Sequence, residues 1–137
     1  MVAPYDDDSI EADDLIIRRI DPENHLVYDE NLQTNRLSSQ VFSPSSGGGM
    51  SVDIEKLITA TGSMPEEYVV TPKWKGAVQF TAGAARDVEL MVGLDPLDSN
   101  PCHGEVWGRF SRSQKRALME ASEWLVPLTG VEIDKRT

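Results

Sequence analysis

Few side chains in this chain can move a proton or attack a substrate near neutral pH: two histidines, His25 and His103, and one cysteine, Cys102. The segment Pro101-Cys102-His103-Gly104-Glu105 brings a thiol, an imidazole and a carboxylate together. Adjacent residues of an extended chain point to opposite faces, so Cys102 and His103 are not expected to form a nucleophile and base pair. Upstream stand Arg36, Ser38 and Ser39. An arginine can hold a pyrophosphate and a carboxylate can hold ribose hydroxyls. If the chain is an enzyme, Arg36, Ser38, Ser39, His103 and Glu105 are therefore the catalytic candidates, acting on a nucleotide-like substrate. Tetrahedral zinc takes three or four nitrogen or sulfur ligands, and only three such side chains exist here, so no metal site is expected. No G-x-x-x-x-G-K-S/T loop is present, and the Gly47-Gly48-Gly49 run lacks the lysine that meets a phosphate. No cofactor is expected either.

The elements that must position these groups read as a mixture. Leu15–Ile20, LIIRRI, is short and apolar enough to be buried, and Pro22 ends it. His25 to Tyr28, Arg36 to Phe42, Met50 to Ile54, Tyr68 to Thr71, Ala77 to Thr81, Val88 to Leu94 and Glu105 to Gly108 are strand candidates separated by Gly, Pro and Asn breaks. Asp53 is placed to cap a helix over Ile54 to Thr61, with Gly62 as its stop. Thr81 can cap one helical turn over TAGAARD. Ser111 and Gln114 form a capping-box pattern for a helix running to Val126, with Leu118, Ala121 and Trp124 on its buried stripe. Strands and helices alternate without regular βαβ spacing. The expected fold is a single compact α+β domain, with a small mixed or antiparallel sheet and two principal helices.

Charge is distributed unevenly. The chain has 23 acidic and 13 basic residues, a net charge of −10. Residues 1 to 30 hold ten of the acids and two of the bases, so −8 sits there and only −2 on the remainder. Residues 1–8 read as a disordered acidic leader ahead of a domain over 9–137, and residues 43–49 as a mobile Ser/Gly loop. A nearly neutral body with an acidic end argues against nucleic acid and anionic membranes as partners. It suits a larger, basic protein met through Asp6, Asp7, Asp8, Asp13 and Asp14. A single cysteine, no basic and apolar leader and no apolar run of about eighteen residues make a cytoplasmic setting the expectation.

Two further patterns bear on function. Arg36, the serine pair and Glu105 echo the Arg, Ser-x-Ser, Glu order of ADP-ribosyl-transferring folds, although the second serine here is adjacent to the first. Taken in order, RRI at 18–20, RLSSQVF at 36–42, MSVD at 50–53, TAGAARD at 81–87 and PCHGEVWG at 101–108 resemble a family of small uncharacterised bacterial and phage proteins. That resemblance spans Leu15 to Trp124 and implies a bacterial or phage source without implying an activity. It marks Arg19, Arg36, Ser38, Ser39, Ser51, Asp53, His103 and Gly108. The favoured expectation is a small acidic protein–protein interaction module, a partner subunit or inhibitor of a larger bacterial protein. The alternative is a small enzyme, ADP-ribosyl-transfer-like or hydrolytic, using the Arg/Ser/His set.

Overall fold

Leu15–Ile20 (β1) runs through the middle of the larger of two sheets in the computed structural model, which describes residues 2–135. Ile16, Ile17 and Ile20 are buried, and burial on both faces suits a run with three isoleucines and no turn residue. On one side β1 pairs with Met50–Ile54 (β4), and on the other with Gly76–Thr81 (β5). Met91–Leu94 (β6), His103–Trp107 (β7) and Glu123–Val126 (β8) complete the antiparallel order β6-β7-β4-β1-β5-β8. Leu26–Asp29 (β2) and Thr34–Leu37 (β3) form a hairpin beside a two-residue strand, Val131–Glu132 (β9), in a second, three-stranded sheet. The chain is a single compact α+β domain.

The two faces of the large sheet differ. Ile16, Val52, Val78, Phe80, Val92 and Val106 line the inner face and pack against Ala82–Arg86, Arg112–Ala121 and the 3-10 turn Ser39–Phe42. Phe42 meets Phe80 edge-on at 6.2 Å. The outer face is apolar only over β1 and β5, where Ile17 and Ala77 lie under Ile58 of the helix Glu55–Ala60 and Val69 beyond Pro65–Tyr68. Across β4 and β7 it carries Ser51, Asp53, His103, Glu105 and Trp107, because alternation sends Val52, Ile54, Gly104 and Val106 inward.

Several sequence expectations need correcting. The helix begins at its capping box, with Ser111 and Gln114 bonded reciprocally, but it stops at Ala121. Buried Ser122 turns the chain by donating its hydroxyl to the Leu118 carbonyl, 2.7 Å away, and Glu123–Val126 then pairs with β5. Trp124 is thus a half-buried strand residue. A free sheet edge outcompetes helical periodicity for a β-favouring Trp-Leu-Val run. The strand expected over Arg36 to Phe42 ends at Leu37, where the Ser38 side chain accepts from the Gln40 N–H and opens the 3-10 turn. Tyr68 ends a helical turn that Pro65 starts and Glu66 and Glu67 favour at its positive end.

The segment 43–49 closes as a hydrogen-bonded turn, Ser45 N–H to the Gly49 carbonyl and Gly48 N–H to the Ser45 carbonyl, both at 3.1 Å. Residues 5–7 of the leader follow the outer edge of β6. The Tyr5 hydroxyl accepts from Leu94 N–H, an Asp6 carboxylate oxygen accepts from Val92 N–H, and Asp7 N–H donates to the Val92 carbonyl. No helix of the described residues is long and apolar enough to cross a membrane.

Candidate functional site

Register brings the polar residues of the outer face together. His103 lies opposite Asp53 across the β4–β7 pair, and Glu105 lies between Ser51 on β4 and Gly93 on β6. Asp95, just past β6, donates its N–H to the His103 carbonyl. Asp95, His103 and Glu105 are each nine-tenths or more buried. One ring nitrogen of His103 and one carboxylate oxygen from each of the other two lie within 4.8 Å of one another.

Hydrogen bonding fixes how these groups present themselves. His103 Nδ1 lies 2.7 Å from the Asp95 carbonyl oxygen and 3.5 Å from its Oδ2. A carbonyl only accepts, so Nδ1 carries the proton and the lone pair of the neutral ring is on Nε2. Glu105 Oε2 accepts from the Gly49 N–H at 2.8 Å. That contact explains the glycine: a Cβ on Gly49 would lie 2.6 Å from Glu105 Oε2 and 2.7 Å from the Val106 carbonyl. The turn at 43–49 thereby works as a backbone clamp on Glu105.

Next to this cluster is a closed polar network. Arg19 grips Asp53 with two N–H groups, Nε at 2.7 Å and Nη2 at 3.1 Å, and its guanidinium lies over the Tyr68 ring. Asn100 donates to Asp53 Oδ1 at 2.7 Å and accepts from the Tyr68 hydroxyl and the Cys102 N–H. Burial, followed by the neighbouring Cys102 and Asp53, pushes the Tyr68 phenol up to about 12, so it stays a donor at any physiological pH. Arg18 donates to the carbonyls of Val41 and Ser51, and burial brings it down to about 10. Arg18, Arg19, Ser51, Asp53, Trp74, Asn100 and His103 contribute to the walls of an open concavity of about 270 Å³. Larger hollows of about 500 Å³ lie near Asp21–Asn24 and near Asp87–Glu89, without a convergent set of buried ionisable groups.

The catalytic candidates divide. His103 and Glu105 share this face, whereas Arg36 sits in the second sheet, where its Nε donates to Asp29 at 3.0 Å. Ser38 is spent on its turn, and Ser39 is exposed. Cys102 is buried among Ile17, Ile58, Val69 and Ala77. Of the acidic residues considered for partner binding, Asp6 pairs with Arg86 at 3.0 Å, Asp7 accepts from Ser9, and Asp14 pairs with Lys56 at 2.7 Å. Asp8 and Asp13 face solvent. Asp95 and Asn100 escaped sequence reasoning because the chain reversal between β6 and β7 brings them to the site, and no spacing rule announces that. The His-x-Glu alternation on a strand was the available signal.

Compared with known proteins, the chain matches no family model, no curated protein and no solved structure.

Proposed function

We propose that the β4–β7 outer face is the active site of a small hydrolytic enzyme acting on a polar, nucleotide-like substrate. The observation that carries this reading is the packing of Asp95, His103 and Glu105 into one buried cluster beside an open concavity. Burying three ionisable groups costs stability that a purely structural sheet face would save with apolar side chains. About 270 Å³ lies just below the usual range of ligand pockets and suits a molecule no larger than a mononucleotide.

In the reaction, the His103 and Glu105 groups activate a water. Its oxygen adds to an electrophilic carbon or phosphorus, its proton passes to the cluster, and the leaving group departs with a proton returned from it. The N–H groups of Arg19 left over from its grip on Asp53 orient the substrate. Turnover of nucleotide phosphodiesters and carboxylic esters by the wild type, Glu105→Gln and His103→Ala tests this. Losses of a hundredfold or more are expected for both variants, with Arg36→Ala and Ser38→Ala near wild type. Turnover no faster than buffer, or loss with Arg36→Ala alone, counts against it.

The exposed carboxylates of Asp8 and Asp13 favour a second reading, an interaction module for a larger basic protein. It predicts capture of a partner that weakens steeply with salt and with Asp8→Asn/Asp13→Asn. Partner recovery indifferent to both removes it.

A further inference from the structure

We propose that Asp95, His103 and Glu105 form a binding site for one divalent transition-metal ion of the zinc or manganese type. The inference rests on the hydrolytic reading and deepens it: His103 and Glu105 would act on the water through the ion they hold, which would lower the pKa of that water, instead of as free bases.

Three observations converge. The donor atoms, one imidazole nitrogen and two carboxylate oxygens, lie within 4.8 Å of one another. Donors around a tetrahedral ion at bond lengths of about 2.1 Å stand about 3.4 Å apart, so binding an ion would require the Asp95 and Glu105 side chains to turn inward. Secondly, the partners that orient ligands in metal sites are in place: the Asp95 carbonyl holds the His103 tautomer and the Gly49 N–H holds one oxygen of Glu105. Thirdly, His103 Nε2 and Glu105 Oε1 have no hydrogen-bond partner among the described residues, although both side chains are nine-tenths buried. No fully buried side-chain oxygen or nitrogen goes unpartnered in the described structure, so these two atoms keep contact with solvent. They are reachable by an ion.

The donor set selects the metal. The expectation of no metal site counted nitrogen and sulfur ligands alone; carboxylate oxygens also ligate, and one imidazole with two carboxylates suits zinc or manganese, whereas magnesium prefers an all-oxygen octahedron and keeps its waters. Three protein ligands leave a coordination position for water. Coordination through Nε2 keeps the Nδ1–H bond to Asp95. Coordination through Nδ1 would release that proton and recruit the Asp95 carbonyl, 2.7 Å away, as a further oxygen ligand. The same residues serve in either case.

The test is calorimetric titration of the full chain with ZnCl2, MnCl2 and MgCl2, alongside 15N NMR of the imidazoles. One equivalent of zinc or manganese should bind with micromolar or tighter affinity, magnesium at least a hundredfold more weakly, and one His103 nitrogen should shift while His25 does not. Asp95→Asn, His103→Ala and Glu105→Gln should each weaken binding a hundredfold or more. If His103→Ala fails to fold, the near-isosteric Glu105→Gln and the wild-type NMR shift still decide. Absence of stoichiometric binding at millimolar metal, or undiminished binding in all three variants, overturns the site. Turnover that persists in excess chelator would overturn the metal and leave the hydrolytic reading standing. Tight metal binding without turnover would do the reverse.

Discussion

At the scale of single residues, the two histidines are held in opposite tautomers. His103 donates from Nδ1, whereas His25 Nδ1 accepts the Asp21 N–H at 3.0 Å. Burial, and then the nearby Arg18 charge, lowers the His25 pKa below its ordinary 6.5, and protonation at Nδ1 would set N–H against N–H. The unfolded chain therefore binds more protons than the folded one between the depressed value and 6.5. Stability is fully present above about pH 6.5 and falls as pH drops through that window. Denaturant melts from pH 5 to 8 should show this slope, and His25→Asn, which keeps an acceptor for Asp21, should flatten it. A slope unchanged by His25→Asn would assign it elsewhere. Asp53 offers a second check. Its removal strands Arg19 beside a buried network, so Asp53→Ala should cost near the lower end of about 3–5 kcal/mol, since Arg19 keeps some solvent contact. A loss below about 1 kcal/mol in urea melts would mean that the pair is replaced by water without penalty.

Elements carry the next level of control. The turn before β4 sets Glu105 through one backbone N–H, and Gly49→Ala forces a methyl against both that carboxylate and the Val106 carbonyl. The variant is expected to lose about 1–3 kcal/mol by overpacking and to weaken metal binding with it. Full stability with unaltered zinc titration would show that the clamp is dispensable. The helix Arg112–Ala121 depends on its capping box, and Ser111→Ala should cost about 1 kcal/mol in melting experiments. Trp124, half-buried on β8, should cost clearly less on change to alanine than the about 3–5 kcal/mol of a fully buried aromatic. A loss in that full range would put it back in the core.

For the whole molecule, charge and edges matter most. Asp7, Asp14, Asp21 and Asp29 are held below the ordinary carboxylate value, chiefly by bonds from Ser9, Lys56, Asn24 and the Leu32 N–H respectively. Their contribution is present above about pH 3.8 and disappears as pH falls below it, so circular dichroism should show acid unfolding set in under that value. The acidic segment that looked free for a partner is partly used to fasten the chain. Asp6, Asp7 and Tyr5 satisfy backbone groups along the outer edge of β6, and Tyr5 also packs its ring against Trp107 at 5.7 Å. An edge covered in this way is protected from pairing with other chains.

What the sequence determined on its own was local in origin: the α+β class, the capping box at Ser111 and Gln114, the helical turn capped by Thr81, the existence of a short helix after Ile54, though Asp53 binds Arg19 and Asn100 instead of capping it, and His103 with Glu105 as chemically able groups. Each follows from side chains a few positions apart, whose propensities and bonds are written along the chain. Tertiary structure alone decided that Asp95 joins His103 and Glu105, that Arg36 pairs with Asp29 in the other sheet, and that Glu123–Val126 leaves the helix for the edge of β5. Strand pairing settles all three. It is a non-local contest for backbone hydrogen bonds and buried area, and its winner depends on which edges the rest of the fold leaves open.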